Sequence, residues 1–200
     1  MSKVTTGATM SLDGYIAGPD DSHFDLLFRW YANGPVVTET VNPDLSFSTT
    51  EEDAESLKSM IRSTGCLVVG RHLYDLTNAW GGRHPMDVPC VVLTHNPPAD
   101  RPPSDENFVF VTEGIEAAVA KAREIAGEKN VGLNGGTIAR QALEAGLVDE
   151  VHVDLVPFLL GAGTPFFGAI ATAPVELVQE SVVPSVGVTH VTYSVVRRSE

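Results

Sequence analysis

The chain has 200 residues, 43% of them hydrophobic, and 26 acidic against 13 basic residues, giving a formal net charge of −13. This length fits one folded unit with its own core, so we expect residues 1–200 to form a single domain. The acidic excess argues against nucleic acid as a partner, because polyanion binding needs clustered Lys and Arg. No apolar run approaches the roughly 18 residues of a membrane span.

The cysteine content and the N-terminal sequence predict the compartment. The first residues lack the basic segment followed by an apolar segment of a signal peptide, and we therefore expect a cytoplasmic protein. Cys66 and Cys90 each begin an apolar run of strand length. We expect both to be buried thiols rather than a disulfide. The His and Cys residues show no metal-ligand spacing, so we predict no metal site.

The N-terminal half alternates apolar segments of strand length with segments of helical period. Residues 33–48 contain Gly and Pro without a clear period, which predicts an irregular segment. Thr50 stands three positions before Asp53, which resembles a capping box and predicts a helix to about Ser63. The other predicted elements of this half are a strand at 3–10, a loop at 11–21, a short helix at 25–31, a strand at 66–69, a helical turn ending near 77 and a strand at 88–94.

The C-terminal half continues this alternation and ends in a hairpin. Its predicted elements are a strand at 108–111, a helix at 115–126 capped by Thr112 or Gly114, a strand at 131–133, a helix at 137–145 stopped by Gly146, a strand at 150–156, a loop at 157–174 and an antiparallel pair at 175–183 and 188–197. Repeated strand–helix steps predict an α/β fold, a mostly parallel sheet with helices on both faces.

The residues after the strand at 131–133 combine a glycine pair, Gly135 and Gly136, with the start of a helix. Glycines let the backbone turn sharply and let another group approach closely. The helix presents N–H groups and the positive end of its dipole, an arrangement that favours phosphate binding. The alternative is a tight turn whose glycines serve packing alone.

Three polar loops leave the carboxyl ends of predicted strands, where ligands bind in parallel sheets. These loops are Gly70-Arg71-His72, Thr94-His95-Asn96 and Asn134-Gly135-Gly136-Thr137. Together they offer the groups that hold a dinucleotide. Arg71 suits an extra phosphate because its planar guanidinium matches phosphate oxygens. The alternatives are that Arg71 binds only a neighbouring carbonyl and that His95 is an ordinary loop residue.

The candidates for proton donation in the N-terminal region are Asp13 and Asp25. Each has an alternative interpretation as a turn former or a helix cap. Other catalytic templates do not fit, because the chain has neither a G-x-S-x-G motif nor a P-loop lysine motif.

Several motifs appear in an order that resembles the dihydrofolate reductase-like superfamily. They are Thr9-Met10-Ser11-Leu12-Asp13-Gly14-Tyr15-Ile16-Ala17, Val68-Val69-Gly70-Arg71-His72-Leu73-Tyr74, Asn134-Gly135-Gly136, Gly146-Leu147-Val148-Asp149-Glu150-Val151 and Pro157-Phe158-Leu159-Leu160-Gly161-Ala162-Gly163-Thr164-Pro165-Phe166-Phe167. Within the superfamily, the chain is most similar to the C-terminal reductase domain of the bifunctional riboflavin-biosynthesis protein RibD and its stand-alone relatives. The resemblance covers nearly the whole chain.

This resemblance implies a central sheet of about eight mostly parallel strands with a C-terminal antiparallel hairpin, and NADPH as cofactor. It implies that Thr9 and Ile16 flank the nicotinamide, that Gly70, Arg71 and His72 lie along the pyrophosphate and adenosine, that Thr94, His95 and Asn96 lie near the adenine ribose and its 2′-phosphate, and that Gly135, Gly136, Thr137 and Ile138 cradle the pyrophosphate. The preference for NADPH over NADH rests mainly on Arg71 and His95.

The resemblance also sets out the functional hypotheses. The leading hypothesis is an NADPH-dependent reductase of a small heterocyclic or carbonyl-type substrate, with Asp25 as the nearest match to the carboxylate that serves the pterin in dihydrofolate reductase. A riboflavin-pathway ribosylamino-pyrimidine is a candidate substrate, but the acidic N-terminal loop favours another stand-alone role. The alternatives are a non-catalytic nucleotide- or flavin-binding protein and, third, a cofactor-free structural protein. Relatives are often homodimers, and Phe166-Phe167 with the C-terminal strands is the expected interface.

Overall fold

The computed structural model describes residues 2–42, 45–99 and 107–197. Its helices are α1 (Phe24–Leu27), α2 (Glu51–Ser63), α3 (Arg71–Leu76), α4 (Ile115–Ala126) and α5 (Thr137–Glu144). Its strands are β1 (Val4–Ser11), β2 (Tyr15–Ala17), β3 (Val36–Glu39), β4 (Ser46–Thr49), β5 (Thr64–Gly70), β6 (Cys90–Leu93), β7 (Phe108–Val111), β8 (Asn130–Leu133), β9 (Glu150–Val156), β10 (Thr164–Pro165), β11 (Leu177–Ser185) and β12 (Val188–Val195). Short 3₁₀ segments occur at Pro19–Asp21, Arg29–Ala32 and Asn78–Gly82.

The central sheet has eight strands in the order β11-β12-β9-β1-β8-β5-β6-β7. Neighbouring strands from β9 to β7 are parallel, whereas β12 is antiparallel to β9 and β11 is antiparallel to β12. The predicted mostly parallel sheet with a C-terminal antiparallel pair is therefore confirmed. The carboxyl ends of the parallel strands meet at one edge of this sheet.

Apolar packing covers both faces of the sheet. On one face, α4 and α5 present small residues such as Ala118 and Ala139, which are fully buried and let the helices lie close to the strand valines. On the other face, Leu27 of α1 and Leu57 of α2 pack against the ends of β9 and β12. Tyr74 of α3 packs against β5 and β6 on that same face. Helices on both faces were predicted from the strand–helix alternation, and the structure confirms them.

The prediction of an irregular segment at 33–48 is wrong, because β3 and β4 form an antiparallel hairpin there. Thr38 and Thr49 are the buried residues of its strands, and the other strand residues are half-buried or exposed. With so few buried positions, the hairpin has no clear hydrophobic period in the sequence. The predicted loops at 11–21 and 157–174 likewise contain the short strands β2 and β10, which pair with each other.

The predicted helix ends are found as expected. Thr50 caps α2, since its hydroxyl accepts a hydrogen bond of 3.3 Å from the Asp53 amide. Gly146 follows α5 with a φ of +66°, a left-handed conformation that suits glycine and ends the helix. Gly114, rather than Thr112, is the residue that precedes α4.

Both cysteines are buried and free, as predicted. Burial raises the pKa of Cys66 to about 11. Burial, with a smaller contribution from Cys66, raises the pKa of Cys90 to about 12. Both therefore remain protonated thiols near neutral pH, the unreactive form of cysteine.

Candidate functional site

The structure brings the three predicted polar loops together at the carboxyl edge of the sheet. Leu133 of β8 lies opposite Val68 of β5, and Gly70 of β5 lies opposite Leu93 of β6. The loops that follow β8, β5 and β6 are consequently neighbours. The loop after β1 is next in line, because β1 pairs with β8 on its other side.

The glycine pair allows close contact between the β8–α5 turn and two apolar residues. A Cβ on Gly135 would lie 2.9 Å from Ile16 Cδ1 and 3.1 Å from Phe166 Cδ2, so a larger residue would displace one of them. Gly136 has a φ of +71°, and its amide donates a 2.7 Å hydrogen bond to the Phe166 carbonyl. Ile16, predicted to touch the nicotinamide, thus lies against the turn predicted to hold the pyrophosphate.

The first turn of α5 has no side-chain cap, because Gly136, which precedes the helix, has no side chain to accept from the helical amides. Amides at an uncapped N-terminus favour a negatively charged ligand. Thr137 is exposed at this turn, while Ile138 is buried and lies beneath Gly70, whose added Cβ would be 3.7 Å from Ile138 Cγ1.

Arg71 joins the β5 loop to the β6 loop. Its Nε lies 2.8 Å from both carboxylate oxygens of Asp75, and its Nη1 donates a 2.6 Å hydrogen bond to the Asn96 carbonyl. The carbonyl contact is the alternative that the sequence left open for Arg71, and it exists together with an ion pair. The Asn96 amide in turn donates to Thr94 Oγ1 at 3.2 Å.

The two predicted histidines are exposed at this edge. His95 lies on the β6 loop beside Asn96. His72 Nε2 lies 2.8 Å from Asp21 Oδ2, so the N-terminal loop reaches the start of α3. This contact brings an acidic side chain close to the predicted anion site.

The two predicted proton donors occupy different environments. Asp13 accepts hydrogen bonds from the Ser11 hydroxyl at 2.6 Å, the Gly161 amide at 2.6 Å and the Leu160 amide at 3.0 Å. These bonds, led by that from Ser11, lower the pKa of Asp13 to about 2. Asp13 therefore stays ionised and joins two loops, while Asp25 is exposed on α1.

A cluster of titratable residues that sequence reasoning missed lies beside Thr9. Thr9 of β1 is opposite Asp154 of β9, and Asp154 is opposite His190 of β12. Residues in register share a face of the sheet, so the three side chains project to the same side. His190 Nδ1 lies 2.6 Å from Asp154 Oδ1, and His190 Nε2 lies 2.8 Å from Asp53 Oδ1. We call Asp53, His190 and Asp154 the triad.

The triad runs from the interior to the surface. The exposed fractions of the side chains are 0% for Asp53, 10% for His190 and 31% for Asp154. Burial opposes ionisation of Asp53, but hydrogen bonds from Asn33 and His190 outweigh it and lower the pKa of the carboxyl. Burial likewise opposes the charge of His190, but Asp154 and Asp53 raise its pKa above the ordinary value. Both shifts favour an ionic form of the triad.

Aromatic residues connect the triad to Thr9. Trp30 Nε1 donates a hydrogen bond of 3.2 Å to Thr9 Oγ1, and the Trp30 ring meets the His190 ring edge-on at 5.2 Å. Burial and the Asp154 charge raise the pKa of Tyr31, against a hydrogen bond with Thr9. Thr9 is thus enclosed by aromatic side chains, and the partly exposed Asp154 carboxylate lies opposite it on the neighbouring strand.

The sequence carries a faint signal for the triad. Asp154 stands between Val153 and Leu155, His190 precedes Val191, and Asp53 is on the buried face of α2 next to Ala54. Titratable residues at inward positions are rarely buried without a partner. The partner identities depend on the register of β9 with β12, which the residue pattern alone does not give.

In residues 2–42, 45–99 and 107–197, no group of three or more His, Cys, Asp or Glu is arranged to hold a metal ion. None of the helices assigned in these ranges is long and apolar enough to cross a membrane.

A concave region lies away from the strand-end loops. It is a groove of about 410 Å³ between the β3–β4 hairpin and the second half of α2, lined by Val37, Thr38, Glu39, Lys58, Ile61 and Arg62. We call it the hairpin groove. Because α2 leads into the amino end of β5, this groove lies toward the edge opposite the three polar loops.

Comparison with known proteins adds family information to this geometry. The profile of the RibD C-terminal domain matches residues 2–185. The structure is similar to the Putative riboflavin biosynthesis protein of Shewanella sp. PV-4, with a TM-score of 0.75, 21% identity and coverage of 98% of this chain and 99% of the other.

Two further structures extend the comparison. A Thermotoga maritima diaminohydroxyphosphoribosylaminopyrimidine deaminase/5-amino-6-(5-phosphoribosylamino)uracil reductase aligns with a TM-score of 0.65 and 14% identity, over 98% of this chain and 57% of the other. The dihydrofolate reductase of Enterococcus faecalis, in complex with NADP(H), aligns with a TM-score of 0.59 and 17% identity, over 96% of both chains. The predicted dihydrofolate reductase-like fold is confirmed.

Proposed function

Because the chain belongs to the RibD C-terminal domain family, we propose that it is an NADPH-dependent reductase of a small heterocyclic or carbonyl-type substrate. The observation that carries the proposal is the meeting of three polar loops around the uncapped start of α5, next to Ile16 and Thr9. NADPH, when bound, would supply a hydride to the substrate.

The residues present fit such a cofactor. The amides of Thr137 and Ile138 would hold the pyrophosphate at the helix start, with Gly135 and Gly136 leaving room for it. Arg71 would serve the 2′-phosphate. Besides these donors, the proposed cofactor contacts comprise Thr9, Ile16, Gly70, His72, Thr94, His95 and Asn96.

We base the substrate class on the side chains around Thr9. The aromatic rings there suit a flat ring, and Asp154 would accept from an N–H or donate to a carbonyl or imine. The Thermotoga relative is named as a reductase of 5-amino-6-(5-phosphoribosylamino)uracil, and a riboflavin-pathway pyrimidine of this type is one candidate here. Arg29, stacked 5.0 Å from the Phe158 ring, is the nearby cation for its phosphate.

We expect NADPH to bind more tightly than NADH, with Arg71→Ala weakening NADPH binding about 10- to 100-fold. Hydrogen bonds to charged groups contribute about 1.5–3 kcal/mol, and NADH lacks the phosphate that Arg71 would hold. Nucleotide fluorescence and melting temperature measure both affinities. Binding of a flavin in place of either nucleotide would favour the alternative, a non-catalytic flavin-binding protein.

Asp75→Asn should have the opposite effect on NADPH. The carboxylate neutralises Arg71 and would repel a phosphate, so its removal should tighten NADPH binding about threefold, within the ~1 kcal/mol typical of exposed ion pairs. The matched control is Asp87→Asn, since Arg83–Asp87 is another exposed pair four residues apart, located before β6. An equal effect of both substitutions would show that Arg71 does not meet the phosphate.

Turnover is tested by following NADPH absorbance with three acceptors. The acceptors are 5-amino-6-(5-phosphoribosylamino)uracil, dihydrofolate and 4-nitrobenzaldehyde, which represent the pyrimidine, pterin and simple carbonyl classes. Oxidation of NADPH that depends on one of them supports the reductase. NADPH binding without any oxidation supports a binding protein instead.

We propose that the protein forms a homodimer through β11. A small-molecule enzyme of this kind needs no nucleic acid or membrane partner. β11 is an edge strand of the central sheet, and its apolar side chains Leu177, Val178, Val182 and Val183 are 39–49% exposed. A long apolar edge strand tends to pair with another chain. Phe166 is fully buried, so it does not contribute to this surface as the sequence suggested.

The expected mass in sedimentation velocity at about 10 μM is that of a dimer. Val182→Lys should give monomers, because a charge on the β11 face would be buried without a partner. The control Leu159→Lys changes a residue that is 73% exposed outside β11. A monomeric wild-type protein would refute the dimer.

A further inference from the structure

We propose that Asp154 is the acid that protonates the substrate, and that His190 and Asp53 position it and replace its proton. The proposal rests on the proposed function, because such a proton is required where an acceptor gains a hydride. It gives Asp154 a catalytic role and gives the other two residues positioning roles.

The triad is exposed to solvent mainly at one residue. Asp53 is fully enclosed, and His190 is nearly so, whereas 31% of the Asp154 side chain is exposed. Asp154 is also the residue in register with Thr9 on the adjacent strand, about 4.8 Å away in a parallel pair. A substrate held beside Thr9 therefore meets the Asp154 carboxyl first.

The contacts of His190 fix the number of protons. Each ring nitrogen lies within 2.8 Å of a carboxylate oxygen, and two such contacts need two protons among the three groups. The protons form either an imidazolium between two carboxylates or a neutral imidazole with one protonated carboxyl. The two forms differ by one proton moving along the 2.6 Å contact between His190 Nδ1 and Asp154 Oδ1. The triad thus holds a proton that can appear on Asp154.

The proton step balances without another reagent. As a C=O or C=N acceptor gains a hydride at carbon, its π electron pair moves to the heteroatom. That atom takes the proton from Asp154, whose O–H bond breaks while the new O–H or N–H bond forms. Asp154 is left as a carboxylate facing a neutral His190 that keeps its Nε2 proton toward Asp53. Solvent then returns one proton to the triad through the exposed carboxyl.

Other acids of the N-terminal region suit this role less well. Asp13 is ionised and bonded to three loop donors, and Asp25 is exposed on α1. Tyr31 contacts Thr9, but its raised pKa makes the phenol a weaker acid than a carboxyl.

The test uses the acceptor that the turnover screen identifies and measures its single-turnover reduction. Asp154→Asn keeps the size and a hydrogen-bond acceptor but holds no carboxyl proton, so the transfer rate should fall about 100-fold or more. NADPH affinity should stay within about twofold. The matched control is Glu150→Gln, a carboxyl-to-amide change on the same strand and face, at the amino end of β9. It should leave the transfer rate unchanged.

A second readout does not depend on turnover. Ring ¹⁵N NMR of His190 reports its titration, which is governed by Asp154 of β9 and Asp53 of α2, with the uncharged Trp30 edge packed alongside. Asp53→Asn should lower the pKa of His190 and shift the alkaline limb of the transfer rate to lower pH by the same amount. In the wild type, that limb should coincide with the His190 titration.

Each outcome decides the proposal. A transfer rate of Asp154→Asn within about threefold of wild type overturns it, as does loss of transfer on Tyr31→Phe with Asp154→Asn unaffected. If Asp154→Asn does not fold, a wild-type rate that is flat across the His190 titration overturns it. NADPH binding without reduction of any acceptor overturns the proton relay but leaves the cofactor site. Absence of nucleotide binding removes the proposed function itself.

Discussion

His190→Ala is expected to lower the free energy of unfolding by about 3–5 kcal/mol, the loss typical of removing one partner from a buried ion pair. Asp53 has no exposed side-chain area and would keep Asn33 while losing the imidazole. The lost ring would also leave space beside Trp30. Urea unfolding followed by tryptophan fluorescence measures the change.

The control for this substitution is His152→Ala on the same face of the sheet. His152 belongs to the next register pair on that face, since it lies opposite Thr192, and its side chain is 42% exposed next to Glu150. An exposed contact of this kind contributes about 0–1 kcal/mol. Equal losses for the two histidines would contradict a buried ionic triad.

The stability difference between wild type and His190→Ala should depend on pH. The folded-state pKa of His190 is raised, so its contribution is fully present below the unfolded value of about 6.5 and is lost as pH rises through the folded value. The folded-state pKa of Asp53 is lowered, so its contribution is present above about 3.9 and is lost as pH falls through the folded value. The difference in unfolding free energy between wild type and His190→Ala should therefore be largest between about pH 4 and 6.5. A stability difference that does not change with pH would show that the triad is not ionic.

Gly163→Ala should cost about 3 kcal/mol or more in unfolding free energy. Its Cβ would lie 2.0 Å from the Ala17 carbonyl oxygen, a backbone atom that cannot rotate away, and its φ is +136°. Overpacking costs about 1–3 kcal/mol and an unfavourable positive φ about 1–2 kcal/mol. Thermal unfolding by circular dichroism would measure the loss.

Gly161→Ala separates the cost of overpacking from the cost of a positive φ within the same loop. Gly161 has a φ of +74°, but nothing lies within 4 Å of its added Cβ. This substitution should cost only the conformational part, about 1–2 kcal/mol. If Gly161→Ala proved as damaging as Gly163→Ala, the close packing of this loop against β2 would not be the cause.

Much of the fold could be predicted from local pattern. The valine-rich runs of β5 and β6 are buried on both sides, which makes them recognisable as interior strands, and Gly146 and Thr50 mark helix ends through their own backbone chemistry. The β3–β4 hairpin escaped prediction because its stability comes from pairing and from contact with α2 rather than from a buried face of its own.

The candidate site also contains residues that local pattern could identify and residues that it could not. The glycine pair and Arg71 could be identified because loops at strand ends carry their chemistry in consecutive residues. Asp53 and His190 are 137 positions apart and meet only through tertiary packing. The pattern therefore favoured Asp13 and Asp25, acids of the N-terminal loop region, over Asp154, whose position beside Thr9 depends on strand register.

The proposed cofactor site is tested most directly by a map of backbone amide shifts in ¹H–¹⁵N NMR spectra as NADPH is added. We expect shifts at Gly70, Thr94, Thr137 and Ile138, on three loops that are far apart in sequence. Thr9 and Ile16 should follow at the nicotinamide end. Shifts confined to the hairpin groove, near Lys58 and Arg62, would contradict the proposed location of the cofactor, and an unchanged spectrum would contradict NADPH binding itself.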